Sequence, residues 1–107
     1  MNPFPVEKML HLSVGNLPSD VASVLAKAAD GTPDERDPNA LLVAFDHGPY
    51  GWLVFVPHPD DVRDETIPRV LANIFHISRA QSATWVYLDP KVNHRHCALL
   101  EHEVSAA

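Results

Sequence analysis

Apolar residues fall into two rhythms along this chain. From Met9 to Val14 they alternate, with Leu10, Leu12 and Val14 on one side and Met9, His11 and Ser13 on the other. That period of two predicts a half-buried strand. Gly15-Asn16-Leu17-Pro18 interrupts it, and Ser19 is a suitable N-cap for a helix from Asp20 to about Ala29. Val21, Val24, Leu25 and Ala28 form its apolar stripe. Two apolar runs follow, Leu41–Phe45 and Trp52–Val56, joined by Asp46-His47-Gly48-Pro49-Tyr50-Gly51. The connector is rich in turn formers, so the pair predicts a β-hairpin, stopped by Pro57 and Pro59. A second helix is expected from Ile67 or Pro68 to Ala80, with Thr66 as its cap. Its buried stripe would be Ile67, Val70, Leu71, Ile74 and Ile77 or Ser78, with Arg69, Asn73 and His76 outward. Thr84–Leu88 reads as the last strand, Val86 and Leu88 facing one way, Trp85 and Tyr87 the other.

The order strand, helix, strand, strand, helix, strand predicts an α+β fold of the ferredoxin-like βαββαβ kind. Its four-stranded antiparallel sheet would carry both helices on one face. Leu10, Leu12, Val14, Val86 and Leu88 should meet the helices, with Leu41, Val43 and Phe45 or their alternates. Trp85 and Tyr87, with Trp52, Val54, Leu42 and Ala44, would then form an apolar open face, which calls for a cover: the tail, a second copy or a partner. Residues 1–8, with Pro3 and Pro5, read as an extended arm on a single domain spanning 1–107. The tail, 91–107, is polar and then apolar at Cys97-Ala98-Leu99-Leu100, and suits an extra edge strand or a short helix.

Charge narrows the functions. The formal net charge is −6 and the basic residues are scattered, which argues against direct nucleic-acid binding, since phosphate contacts need clustered Lys and Arg. No apolar run approaches the roughly 20 residues of a membrane span. The lone Cys97 forms no internal disulfide and fits a reducing cytoplasm.

Candidate chemistry is sparse. His94, His96 and Cys97, with His102 beyond, have metal-ligating side chains but match no standard zinc spacing. A polar tail rich in histidine explains them equally. Cys97 lacks the base and orienting group a nucleophile needs, and no glycine-rich phosphate loop is present. No enzyme activity and no cofactor are expected. Two acidic segments stand out, Asp34-Glu35-Arg36-Asp37 and Asp60-Asp61 through Asp64-Glu65. Their plain role is solubility. A partner-binding surface would combine Asp34, Glu35, Asp60, Asp61, Asp64 and Glu65 with the aromatic anchors Tyr50, Trp52, Trp85 and Tyr87, because hot spots favour Trp and Tyr.

Leu12-Ser13-Val14, Leu17-Pro18 with Ala22 and Leu25, and Tyr50-Gly51-Trp52 followed by Val54, Val56 and Pro57 carry a further signal. With Pro68, Ala80, Trp85-Val86 and Leu88-Asp89, they resemble an uncharacterised family of short proteins on bacterial mobile elements: plasmids, prophages and integrative elements. Genes of that family often lie near antirestriction genes. The resemblance covers about residues 10 to 90, and the histidine-bearing tail departs from it. It implies a setting, a cytoplasmic accessory protein engaged in conflict between mobile DNA and host defence. The leading expectation is an inhibitor of a host defence complex, anti-CRISPR or antirestriction, acting by protein–protein contact, with a homodimer as a further expected assembly. The alternative is a metal-binding or metal-sensing protein using His94, His96, Cys97 and His102.

Overall fold

The computed structural model describes residues 7–15, 17–30 and 41–96. Four strands, β1 (Met9–Ser13), β2 (Ala44–Asp46), β3 (Trp52–Phe55) and β4 (Trp85–Asp89), make one sheet with two helices, α1 (Ser19–Asp30) and α2 (Arg69–Ala80). The fold is mixed α+β, as the alternating rhythms predict. Both helices cover one face: Val21 and Leu25 of α1 and Leu71, Ile74 and Phe75 of α2 share a core with Leu12, Ala44, Val54, Val86 and Leu88. Among the described residues, no helix is long and apolar enough to cross a membrane.

The sheet is mixed, which departs from the all-antiparallel ferredoxin-like arrangement. Its order is β1-β4-β3-β2, with β1 parallel to β4 and the other neighbours antiparallel. The segment between β3 and α2 accounts for the change. Val56 N donates to Thr84 O, so β3 ends where β4 begins. A twelve-residue helix is about 18 Å long. Residues 57–68 must therefore carry the chain back along the sheet before α2 returns it beside β3. Val62 and Ile67 pin that segment into the core. The Arg79 guanidinium ties its start to α2, donating to Pro57 O at 2.7 and 3.2 Å.

Register corrects the assignment of faces. Val54 stands opposite Val86 and Trp52 opposite Leu88, and directly opposed residues share a face. Trp52, Val54, Leu42 and Ala44 therefore turn toward the helices, while Val43 and Phe45 turn away. A shift of one residue exchanges the faces, and in this hairpin the 3-10 turn Gly48–Tyr50 sets Asp46 against Trp52. On α2, Asn73 and Phe75 are also buried, because Val62 and Ile67 widen the arc that the core covers. Neither expected cap is used. The first α1 bond runs from Ala22 N to Pro18 O, Pro68 precedes α2, and Thr66 donates its hydroxyl to Arg63 O. Of the tail, residues 91–96 are described, and the apolar stretch Cys97-Ala98-Leu99-Leu100 expected to form an edge strand or a short helix lies outside the described residues. Val92 bridges Val14, and Asn93 Oδ1 then accepts from Arg95 N and His96 N at the start of a helical turn, His94–His96.

Gly51 joins the hairpin to β4. Its φ is +105°, and a Cβ there would stand 2.0 Å from the Leu88 carbonyl oxygen. Gly48 has φ +61° with open space around it. Gly48→Ala should cost about 1–2 kcal/mol, the left-handed penalty alone. Gly51→Ala should cost at least about 3 kcal/mol, since backbone must also shift. Urea unfolding of the two variants checks the contrast. In the core, Leu12→Ala and Ile74→Ala should each lower stability by about 2–5 kcal/mol, measured in the same way.

Candidate interaction surface

The face away from the helices is aromatic. Parallel pairing puts Met9 beside Trp85 and His11 beside Tyr87, and antiparallel pairing adds Leu53 next to Tyr87 and Phe55 next to Trp85. Phe45 extends the row across β2. Among the described residues nothing covers this face fully: Met9 is 54% exposed and Phe45 51%. Trp85 lies at its centre, edge-on to Phe55 at 5.2 Å and tilted against Phe45 at 6.3 Å. Its indole N–H donates to Glu7 Oε2 at 2.6 Å, which fixes the ring plane. Tyr87 donates its hydroxyl to the Tyr50 carbonyl, tying the hairpin turn to β4, while the Tyr50 ring stands 70% exposed.

One polar group borders the face. His11 Nε2 lies 2.8 Å from Asp89 Oδ2, and the His11 ring meets Tyr87 edge-on at 5.2 Å. The Lys91 main-chain N–H donates to Asp89 Oδ1 at 2.9 Å. That bond, followed by the one to His11, holds the Asp89 carboxyl below its ordinary pKa. Ser13 Oγ also approaches His11 Nε2, at 3.4 Å. Serine and aspartate thus meet the same ring nitrogen. A nucleophilic relay needs them on opposite nitrogens, so this trio builds no activated serine.

The residues singled out from the sequence separate. Tyr50, Trp85 and Tyr87 border or form the open face, whereas Trp52 turns to the core side. Asp60, Asp61, Asp64 and Glu65 are exposed on the segment that Val62 and Ile67 anchor in the helix-side core. Asp64 is held by His76 Nε2 at 2.5 Å, and Asp60 lies 3.5 Å from His58. Asp34 and Glu35 fall outside the described residues, as do Cys97 and His102. His94 is exposed, and His96 Nδ1 accepts from Ser13 N at 2.9 Å. Among the described residues, no group of three or more His, Cys, Asp or Glu side chains is placed to hold a metal. Glu7, His11, Phe45, Phe55 and Asp89 were not singled out from the sequence. The alternation of β1 puts His11 on the face of Met9, but only the β1–β4 pairing brings Asp89 to it.

An open cleft of about 250 Å³ lies at the end of the sheet, lined by Gly15, Leu17, Ala22, Gly48, Gly51, Trp52, Leu88 and Pro90. Among the described residues no titratable side chain lines it.

Asp89 gives a pH prediction. Its folded pKa is depressed, so its contribution is present above the unfolded carboxylate value of about 3.9 and is lost as pH falls through the folded one. Wild type should therefore lose stability relative to Asp89→Asn below about pH 4. Urea midpoints measured across pH for both proteins check this, and an unchanged difference would remove the paired carboxylate.

A family model described as "Family of unknown function (DUF5983) C-terminal domain" matches residues 9–94. No curated protein and no solved structure matches the chain.

Proposed function

This chain belongs to the DUF5983 family of unknown function, and we propose that it works by binding another protein through the open sheet face. The supporting observation is the row of Met9, Phe45, Leu53, Phe55, Trp85 and Tyr87, in which Met9 and Phe45 are exposed and the other four half-buried. A contiguous apolar patch of this kind on a soluble domain marks an interaction site. Rigid aromatic side chains supply contact area at low entropic cost, and hot spots favour Trp and Tyr. Trp85, held by Glu7, is the anchor, with Tyr87 and Tyr50 beside it. Asp60, Asp61, Asp64 and Glu65 hang from a separate loop, so their role is to steer a basic partner and set its orientation. That effect weakens with salt.

The more specific reading is an accessory protein of a bacterial mobile element, working in the cytoplasm as an inhibitor of a host defence complex. It is supported by the resemblance carried by Tyr50-Gly51-Trp52 and the strands around it. The net charge of −6 is too small to imitate a DNA duplex, which carries about one charge per 1.7 Å of axis. A local contact on the protein machinery is the more economical picture. Expression in a host with active CRISPR or restriction defence should protect incoming phage or plasmid DNA. Trp85→Asp should abolish protection with the fold retained, and reversing Asp60, Asp61 and Asp64 to Lys should weaken or abolish it. The measurement is plating efficiency. No protection across representative systems of both kinds would contradict the inhibitor.

A further inference from the structure

Backbone alternation determines which main-chain groups of β1 point out of the sheet. Lys8 O accepts from Thr84 N and Trp85 N, and Val14 N donates to Asp89 O. The even-numbered residues of β1 therefore turn their N–H and C=O toward β4, and the odd-numbered ones turn theirs away. Ser13 is already served on that outer side. Its carbonyl accepts from Asn93 N at 2.8 Å and its N–H donates to His96 Nδ1 at 2.9 Å. Glu7, Met9 and His11 have the same outward orientation, and among the described residues no strand lies beside them. All three are exposed. An edge in this state is a template for a further strand.

We propose that this edge pairs antiparallel with the same edge of a second copy, on a twofold axis beside Met9, joining the two four-stranded sheets into one. The register follows from what is already occupied. The Asn93–His96 segment fills the flank of Ser13, so a register centred nearer Ser13 would drive Glu7 of one copy into that segment of the other. Centred on Met9, the pairing uses Glu7, Met9 and His11 alone, and every outward N–H and C=O of those residues meets its counterpart. The side chains agree with this register. Glu7 of one copy comes beside His11 of the other on the open face, a carboxylate next to an imidazole. The exposed Lys91 and Arg95 lie at the same end. Resting on the reading of the aromatic face as the contact surface, the pairing also supplies area. Four strands about 4.8 Å apart make a face less than about 20 Å wide, small beside the roughly 800 Å² that each partner gives to a standard interface. Two copies joined at β1 bring their faces side by side and double it. The short edge and the repulsion between two acidic chains make the association weak and reversible.

Sedimentation velocity of the full chain tests this, from about 10 µM to about 1 mM, where weak interfaces equilibrate. Wild type should shift reversibly from monomer to dimer. Met9→Pro removes one outward N–H and spares the even-numbered ladder, so it should stay monomeric, and Trp85→Asp should still dimerise. Amide exchange on wild type gives a test that does not depend on a variant folding. The Glu7, Met9 and His11 amides should slow as concentration rises, while Leu10 and Leu12 stay protected throughout. A monomer at the highest concentration overturns the proposal. So does a dimer that Trp85→Asp breaks and Met9→Pro spares, or one without slowed exchange at the three amides. Loss of DNA protection is scored separately: a dimer that protects nothing contradicts the inhibitor and leaves the pairing standing.

Discussion

The structure depends on the position of β4 between β1 and β3. A strand buried in the middle of a sheet has no freedom to choose which side chains it shows. Val86 and Leu88 enter the helix-side core, and Trp85 and Tyr87 must then stand on the opposite face. Each neighbour is registered to those four residues. Leu10 and Leu12 follow Val86 and Leu88 inward, and Met9 and His11 follow Trp85 and Tyr87 outward. The hairpin obeys the same constraint through Val54, and Gly51 is the residue that lets its turn approach the Leu88 carbonyl. Core and open face are thus two consequences of one alternation. A mutation that slipped β4 by one residue would exchange them.

Placing β4 at the centre also explains the polar features of the face. Asp89 ends the strand where β1 ends, so His11 reaches it across the parallel pair. Trp85 begins the strand where the chain enters β1, so Glu7 reaches its indole. Both contacts fix side chains that would otherwise be free on an exposed surface, and preorganised side chains lose less entropy when a partner binds. The acidic segment has a different origin. It belongs to the return path from β3 to α2, where length is needed and Val62 and Ile67 anchor the chain in the core. Asp60, Asp61, Asp64 and Glu65 meet water, where acidic side chains cost little.

Much of this was legible in the sequence, and what was not has identifiable causes. The strands and helices are local features, read from period and from turn formers, and they are found within a few residues of their expected places. Trp85 and Tyr87 on one face, Val86 and Leu88 on the other, follow from alternation within a single strand. The hairpin faces did not follow, because the continuous apolar runs Leu41–Phe45 and Trp52–Val56 look the same from either side. Only the geometry of the turn decides between them. The sheet order was also out of reach. It depends on the path of residues 57–68, where hydrophobic anchors as brief as Val62 and Ile67 are lost among charges. His11–Asp89 joins residues at opposite ends of the chain, and no local pattern announces it.

The central claim is that the open face serves contact with another molecule and contributes little to folding. Its most direct test is the unfolding free energy of the double variant Phe45→Ser with Trp85→Ser, measured by urea titration on the full chain. A face open to solvent on one side predicts a loss of about 1–3 kcal/mol, the sum of surface substitutions and the two ring contacts of Trp85 removed. A loss of more than about 3 kcal/mol, the cost of deleting a buried aromatic, would mean that the face is packed within the folded chain and would contradict the account.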